Sequence, residues 1–431
     1  MPDSRRTHAA LTPHSRATEA QLKFHSMPAS ITNTTEANTA ADTSHAFMPY
    51  PPAAVAHAPS GPLAGLTFGV KDLFDLTGYP TSGGQPLLLA MSGIKRSNAP
   101  TVQRLLDAGA RCAGKTVTDE LAFSMNGQNA HFGSPVNGAA PDRISGGSSS
   151  GSASAVSHGL CDFALGTDTG GSVRAPASHC GLVGLRPTHG RVSLQDALDL
   201  APSFDTCGWV ARDIATFARV AEVLLGADTA PLPATPRLLA PTEVWALLGP
   251  EVRASFAAPR AHVESVLGVA QPVNVVLDSF DAKVMAFRCL MSREALLTHR
   301  EFIERYQPPL GAIVAQRFAW ARTVTDEQMS VANAFRTRYR AHLAALLGTD
   351  GVLILPTMPD VAPLISTPEA DLESYRSQAI SMLCIAGLCG LPQLSLPLAT
   401  RLGAPLGLSL LGPAGSDRSL VQLAQRIGIG A

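Results

Sequence analysis

The most informative part of this sequence runs from residue 145 to residue 174 and reads SGGSSSGSASAVSHGLCDFALGTDTGGSVR. Two clusters rich in glycine and hydroxyl residues, 145–154 and 166–174, flank a stretch typical of a short helix followed by a strand. Glycines allow tight turns and close approach to a ligand, and consecutive N–H groups in such turns can hold an anion. Acyl transfer needs that kind of site for its oxyanion. The alternative is a pair of flexible linkers, which two clusters bracketing apolar segments disfavour.

Lysine is scarce in this chain, which contains only Lys23, Lys71, Lys95, Lys115 and Lys283. Lys71 directly follows LTFGV, residues 66–70, a pattern that predicts a strand entering the interior. Burial lowers the pKa of a lysine, because the charged form loses its hydration, and makes a neutral amine available as a base. The alternative is a surface lysine paired with Asp72 or Asp75. The serine clusters favour the base.

Four segments resemble the amidase signature family, and most of the chain from about Pro62 onward shows some likeness to it. They are GVKD (69–72), GGSSSGSA (146–153), GTDTGGSVRAPASHCGLVGLRPTHGR (166–191) and SFDTCGWVARD (203–213). The resemblance implies an α/β fold with a central mixed, twisted sheet covered by helices on both faces. It also implies an amidase with a Ser-cisSer-Lys triad, whose positions fall on Ser172, Ser148 and Lys71.

The implied mechanism is a proton relay. Neutral Lys71 would accept a proton from Ser148, which accepts one from Ser172 as that oxygen attacks the carbonyl and forms an acyl-enzyme. The family places a cis peptide before its middle serine, here between Gly147 and Ser148. The expected oxyanion donors are the backbone N–H groups of Thr169, Gly170, Gly171 and Ser172.

Residues around the nucleophile are expected to support this loop. Asp168 and Arg174 should hold it through charge-assisted hydrogen bonds, together with Asp205. The alternative for Asp168 and Arg174 is a solvated ion pair. The sequence departs from the family where two glycines usually follow the serines, since Ser150 and Gly151 stand there. This departure predicts a modest local change and not a loss of activity.

A longer segment bears on the substrate. Residues 114–153, GKTVTDELAFSMNGQNAHFGSPVNGAAPDRISGGSSSGSA, resemble amidases of the indole-3-acetamide type. The resemblance implies a small primary aryl-acetamide as substrate, with Ser124, Met125 and Asn126 at the acyl pocket. For Met125, ordinary core packing is the alternative. Two further hypotheses about the function remain. The chain could be a glutamine-hydrolysing subunit of a transamidation complex, which would need partner chains, or a non-catalytic binding protein on the same fold.

Three other patterns point to different chemistry. GARCAGKT, residues 109–116, matches a phosphate loop, but it follows a helical pattern instead of a strand. GSSSG, residues 147–151, matches a nucleophile elbow centred on Ser149, but no strong strand precedes it. A Ser-His-Asp arrangement is the remaining rival, and its candidate bases are His158, His179 and His189.

The composition of the chain indicates which classes of molecule it can bind. The 431 residues include 33 basic and 34 acidic side chains, giving a net charge of −1 that favours neither nucleic acid nor a membrane surface. We therefore expect a small-molecule substrate and a monomer or homodimer. The sequence shows neither the His, Cys and carboxylate spacing of a metal site nor a cofactor motif in the right context, so we expect no metal and no cofactor. Seven widely spaced cysteines suggest reduced thiols and a cytoplasmic location.

Patterning along the chain predicts one long domain. Residues 1–44 lack apolar periodicity and are expected to form a flexible tail, in which Met27 is a possible natural start. Residues 45–431 are expected to form a single domain in which strands and helices alternate. Helices are predicted from Pro100 onward, around 214–224, from about Val284 to Tyr306, over 326–347 and from Ser416 or Asp417. Strands are predicted at VLIL (352–355), LPQLSLPLA (391–399) and LGLSLLG (406–412).

Overall fold

A mixed sheet of ten strands forms the centre of the computed structural model, which describes residues 43–428. The strands are β1 (Thr67–Lys71), β2 (Arg111–Thr116), β3 (Phe163–Thr167), β4 (Val183–Arg186), β5 (Cys207–Ala211), β6 (Arg237–Pro241), β7 (Gln271–Val273), β8 (Gly351–Pro356), β9 (Gln393–Arg401) and β10 (Ala404–Leu411). Their order across the sheet is β2-β1-β3-β5-β4-β9-β10-β8-β6-β7. The strands at each end of the sheet pair in parallel, whereas the five pairings from β3 to β8 are antiparallel.

Thirteen α-helices are described between and after these strands, with one 3₁₀ turn at Glu120–Ala122. The helices are α1 (Pro86–Ser92), α2 (Pro100–Asp107), α3 (Ser150–Ser157), α4 (Arg174–His179), α5 (Ile214–Leu225), α6 (Thr242–Ala246), α7 (Pro250–Ser255), α8 (Ala257–Leu267), α9 (Phe280–Tyr306), α10 (Ala312–Thr323), α11 (Asp326–Leu347), α12 (Glu369–Cys389) and α13 (Asp417–Ile427).

Helices cover both faces of the sheet, as the alternation of side chains along β3 shows. Phe163 and Leu165 point into the large hydrophobic core, whereas Ala164 between them packs in a second, smaller cluster. Ala153 of α3 and Ala177 of α4 belong to that second cluster. Since neighbouring residues of a strand face opposite sides, the two clusters lie on opposite faces. The predicted α/β fold class is confirmed.

Strand direction positions the residues that matter for function. β1 and β3 are adjacent and parallel, with Val70 in register with Leu165, so Lys71 and Thr167 end their strands at the same edge. α3 begins within the first serine cluster, and α4 begins at the last residue of the second. The two clusters therefore meet at the carboxyl ends of these strands, where α/β folds commonly place their ligands.

Several predicted elements match the structure closely. The helices predicted from Pro100, around 214–224 and over 326–347 are α2, α5 and α11, and α13 begins at Asp417. The predicted tail, residues 1–44, lies outside the described residues except for Thr43 and Ser44. None of the helices within residues 43–428 combines the length and apolar character needed to cross a bilayer.

Candidate active site

Lys71 lies at the carboxyl end of β1 and is completely buried. Its Nζ makes three hydrogen bonds to hydroxyl oxygens, at 2.8 Å to Ser148 Oγ, 3.0 Å to Ser149 Oγ and 2.8 Å to Thr167 Oγ1. Lys71 is therefore not a surface lysine paired with Asp72 or Asp75. Asp72 pairs with Lys115, and Asp75 pairs with Lys95. Three neutral hydroxyl groups can satisfy either protonation state of the amine, because each hydroxyl can donate or accept.

Burial lowers the pKa of Lys71 from 10.5 to about 7, although nearby carboxylates, first Asp119 and then Asp168, act in the opposite direction. Loss of hydration disfavours the ammonium form more than these charges restore it. A substantial share of the molecules therefore carries a neutral Lys71 near pH 7. This is the state that a proton acceptor requires.

Ser148 follows a cis peptide bond between Gly147 and Ser148. The Ser148 carbonyl accepts hydrogen bonds from the Asp119 N–H at 3.1 Å and from Thr118 Oγ1 at 3.1 Å. The N–H of Gly147 donates to the carbonyl of Met125 at 2.9 Å. These contacts with residues 118–125 fix the backbone on both sides of the peptide and hold the Ser148 hydroxyl next to Lys71.

The departure from the family at Ser150 and Gly151 fits at the start of α3. Gly151 is required by packing, because a Cβ there would lie 2.3 Å from the carbonyl oxygen of Ala46. Ser150 is fully buried as the first residue of α3.

Ser172 lies in the loop between β3 and α4, and only 5% of it is exposed. Its carbonyl accepts a hydrogen bond from the N–H of Ser149 at 3.1 Å, which joins the two serine clusters. Within residues 43–428, no hydrogen bond joins the hydroxyl groups of Ser172 and Ser148. Catalytic hydrogen bonds are often long or poorly aligned before a substrate binds, so this absence does not exclude Ser148 and Ser172 from acting together.

The loop before Ser172 presents backbone N–H groups. Among the described residues, the N–H groups of Thr169, Gly170 and Ser172 have no hydrogen-bond partner, whereas that of Gly171 donates to Asp168 Oδ1 at 2.9 Å. Gly171 has φ +125°, and a Cβ there would lie 2.5 Å from Leu383 Cδ1. Only glycine fits this turn. Because the N–H of Gly171 is already used, three of the four predicted oxyanion donors remain available.

Asp168 is buried between two arginines. Arg174 donates to it from Nε at 3.0 Å and from Nη2 at 2.8 Å, and Arg186 donates from Nη1 at 3.1 Å. Burial acts to raise the pKa of Asp168, but Arg174 and Arg186 hold it well below its usual range. Asp168 is thus a buried carboxylate that anchors the start of α4, as expected, and not half of a solvated ion pair.

Asp205 supports the same loop by separate contacts. Its Oδ1 accepts a hydrogen bond from Thr169 Oγ1 at 2.5 Å, and its Oδ2 accepts from the N–H groups of Leu200 and Ala201. The predicted supporting role therefore has a structural basis. Asp205 acts through Thr169 and not through the ion pair of Asp168 and Arg174.

A cavity opens next to Ser172 and has a mostly apolar wall. Its lining residues are Ala122, Phe123, Ser124, Met125, Thr169, Gly170, Ser172, Leu200, Phe287, Met291, Arg317, Arg376 and Ile380. Two of the three residues predicted for the acyl pocket, Ser124 and Met125, line this cavity. Asn126 is not among the lining residues, because the chain turns away at Gly127, whose N–H donates to Asp119.

The three histidines considered as a base have other partners. His158 and His189 are exposed, with ring nitrogens 3.0 Å from the carbonyl oxygen of Ser154 and 2.8 Å from that of Pro202. His179 is buried, lies 3.0 Å from the hydroxyl of Tyr375, and has a pKa lowered to about 3 by burial. None of these contacts reaches Ser148 or Ser172, which disfavours a Ser-His-Asp mechanism.

The phosphate-loop pattern forms no phosphate loop. Residues 111–116 form β2, which follows α2, whereas a phosphate loop lies between a strand and the helix after it. Lys115 Nζ lies 2.8 Å from Asp72 Oδ1, and both side chains are fully buried. In the described part of the chain, His, Cys, Asp and Glu side chains form no group of three that could hold a metal ion.

Several residues of the site were not singled out from the sequence, among them Thr167, Asp119, Arg186 and Arg317. Arg186 lies within one of the family-like segments, so its position there was an available signal. Asp119 lies in the 114–153 segment that was used only for the substrate. Arg317 lies on α10, whose pattern does not distinguish this arginine from its neighbours.

Comparisons with known proteins identify the family of this chain. The sequence pattern of the family described as Amidase matches residues 29–421. Amidase 1 of Arabidopsis thaliana is 39% identical over 85% of this chain and 93% of its own length. A glutamyl-tRNA(Gln) amidotransferase subunit of Methanothermobacter thermautotrophicus is 31% identical over 85% of each chain. A solved amidase structure superimposes with a TM-score of 0.77 at 33% identity and covers 86% of both chains.

Proposed function

Because this chain belongs to the amidase signature family and is an amide-hydrolysing enzyme, we propose that it converts a small carboxylic amide to a carboxylate and ammonia through an ester on Ser172. The observation that carries the proposal is the buried contact of 2.8 Å between Lys71 Nζ and Ser148 Oγ. It supplies a neutral amine next to a hydroxyl group, at the edge of the cavity that Ser172 lines.

Acylation uses these groups in sequence. The Ser172 oxygen attacks the amide carbonyl while its proton passes to Ser148 and the Ser148 proton passes to neutral Lys71. The N–H groups of Thr169, Gly170 and Ser172 stabilise the oxyanion of the tetrahedral intermediate. Collapse of this intermediate breaks the C–N bond, and the proton held by Lys71 returns through Ser148 to the leaving nitrogen. Ammonia departs and the acyl ester remains on Ser172.

Deacylation repeats the relay with water. Ser148 accepts a proton from the attacking water and passes its own to Lys71. When the second tetrahedral intermediate breaks down, the C–O bond to Ser172 is cleaved and the proton returns to the Ser172 oxygen. The product is a carboxylic acid, which ionises at neutral pH. Serine and lysine leave the cycle in their starting states.

The aryl-acetamide implied by the sequence is one candidate for the acyl group. Phe123, Phe287 and Met291 give part of the cavity wall an apolar surface on which a ring could pack. Hydrolysis of glutamine is a second candidate, and its support is the likeness to a chain of a tRNA-dependent amidotransferase. If the isolated chain hydrolyses an aryl-acetamide without partner chains, that result would favour the aryl-acetamide type of enzyme. A cytoplasmic location stays a prediction and is consistent with the seven free cysteines.

Ammonia release tests the proposal directly. We would measure it with acetamide, benzamide, indole-3-acetamide, malonamide and glutamine, using the wild-type chain and Ser172→Ala. Ser330→Ala, an exposed serine on α11, is the matched control. We expect turnover of at least one amide by wild type and Ser330→Ala, and none by Ser172→Ala. Equal rates for wild type and Ser172→Ala would contradict the assigned nucleophile.

A further inference from the structure

The cavity next to Ser172 has two charged residues in its wall, and both are arginines. They are Arg317 on α10 and Arg376 on α12, and no carboxylate is among the lining residues. A positive wall without a carboxylate of its own is unusual for a site meant to take a neutral, apolar group, since unpaired charge in a largely apolar cavity is costly.

Arg376 is compensated within its own helix. Its Nη1 lies 2.7 Å from both carboxylate oxygens of Glu373, one turn earlier on α12, and only 11% of the Arg376 side chain is exposed. The pair neutralises most of the charge that Arg376 would present to the cavity. It leaves Arg317 as the arginine of this wall without an ion-pair partner in the described residues.

Arg317 is held firmly but incompletely satisfied. Its Nη1 donates to the carbonyl of Phe123, and its guanidinium lies 5.9 Å from the centroid of the Phe123 ring. Its Nη2 is buried and has no hydrogen-bond partner among residues 43–428. Burial, then the charge of Arg376, lower the pKa of Arg317 well below its usual value, and the carboxylates around it, first Glu373, do not offset this loss. A buried donor without an acceptor carries a substantial cost.

A second cavity adjoins the first. Its wall includes the carboxylates of Glu369 and Glu373, of which Glu373 is paired with Arg376. Phe123, Met291, Arg317 and Arg376 line both cavities, and the second has a volume of about 550 Å³. Trp320 also lines the outer cavity, where the guanidinium of Arg288 lies 5.1 Å from its ring centroid. Arg317 thus stands between the outer cavity and the nucleophile, a position suited to the far end of an acyl group.

We propose that Arg317 binds a carboxylate at the end of the acyl group, so that the preferred substrates are monoamides of small dicarboxylic acids. This inference rests on the proposed amidohydrolase function and specifies its substrate class. The Phe123 carbonyl holds the planar guanidinium on one side, and Nη2 remains as the donor for a carboxylate oxygen while the amide lies at Ser172. A neutral aryl group would leave Nη2 unpaired.

Matched pairs of amides test the inference. We would compare malonamate, succinamate and glutaramate with malonamide, succinamide and glutaramide, in which a neutral amide replaces the carboxylate at nearly the same size. For at least one pair, wild type should favour the carboxylate in kcat/KM by about 10-fold or more. Arg317→Met should reduce that ratio by a similar factor, mainly through KM. Arg322→Met, an exposed arginine on the same helix, should leave the ratio unchanged.

Binding separates this inference from the proposed reaction. Calorimetry with Ser172→Ala should show tighter binding of the preferred monoamide than of its diamide, and adding Arg317→Met should remove the difference. If no amide is hydrolysed but this Arg317-dependent binding persists, the proposed hydrolysis is wrong and the proposed carboxylate site at Arg317 is supported. If amides are hydrolysed but no wild-type pair favours the carboxylate, the inference is overturned, whether or not Arg317→Met folds.

Discussion

The Nζ atom of Lys71 lies 2.8 Å from the Oγ atom of Ser148, in a position that water does not reach. Lys71 also contacts the hydroxyl groups of Ser149 and Thr167, so its partners are neutral oxygens and not carboxylates. This environment lowers the pKa of the amine without an ion pair that would keep it charged. The proton relay depends on this choice of partners.

The pH profile of the reaction should follow Lys71. Its pKa is lowered to about 7, so the base is protonated and inactive below that pH and neutral above it. We expect kcat/KM to rise with pH, about tenfold per unit, up to an apparent pKa near 7 and to level off above it. Initial rates with one amide from pH 5 to 9 provide the measurement. A profile that is flat between pH 6 and 9 would exclude Lys71 as the base.

Replacing Asp119 should move that profile. Among the charges that raise the pKa of Lys71, Asp119 comes first, and it lies beside Gly147. Asp119→Asn removes the charge but can keep the hydrogen bond from Gly127, so the rising limb should shift to lower pH. Asp107→Asn, at an exposed position on α2, should leave the limb in place. An unmoved limb in Asp119→Asn would show that this carboxyl group is not ionised in the free enzyme.

Substitutions of Lys71 should separate the lysine mechanism from a histidine mechanism. Lys71→Arg retains a charge that does not dissociate, and Lys71→Ala leaves Ser148 without its base, so both should lose about 10²-fold or more in kcat. His158→Ala and His189→Ala should keep most of the activity, since both rings lie on the surface. Near-normal turnover by Lys71→Arg, or loss of turnover in either histidine variant, would favour the histidine mechanism.

The buried arginines should matter for stability as well as activity. Arg186→Met leaves Asp168 with one arginine partner and removes hydrogen bonds to three backbone carbonyls, so we expect a loss of about 3 kcal/mol in the free energy of unfolding. Arg212→Met removes a more exposed partner of Asp162 and should change the midpoint of urea unfolding little. Equal midpoints for the two variants would show that Arg186 does not stabilise the loop.

Helices with regular apolar spacing could be predicted, and those without it could not. The helix over residues 326–347 has the bounds predicted, although Val331 is 66% exposed while Phe335, Tyr339 and Leu343 are buried. Val331 lies outside the buried face of the helix. Residues spaced by four do not stay on one face, because the helix turns every 3.6 residues. Helix α12 was missed. From Ala379 to Leu388 every residue is buried, so this half of the helix has no polar face to reveal a period.

The residues proposed for catalysis could be singled out because they lie in short segments with characteristic composition. Lys71, Ser148 and Ser172 come from three such segments, and strand direction brings these segments to one edge of the sheet. Arg317 could not be predicted, because its role depends on α10 packing beside Phe123, nearly 200 residues earlier in the chain. Composition and periodicity carry no information about which arginine such packing buries without a partner.

The most direct test of the central claim is the site at which a serine-reactive phosphonate forms its covalent adduct. Such a reagent captures an activated serine by mimicking the tetrahedral state of acyl transfer. Peptide mass mapping after labelling at pH 8 should place a single adduct on Ser172, and Lys71→Ala should label far more slowly. An adduct on Ser149 or Ser148, or labelling whose rate does not depend on Lys71, would contradict the account.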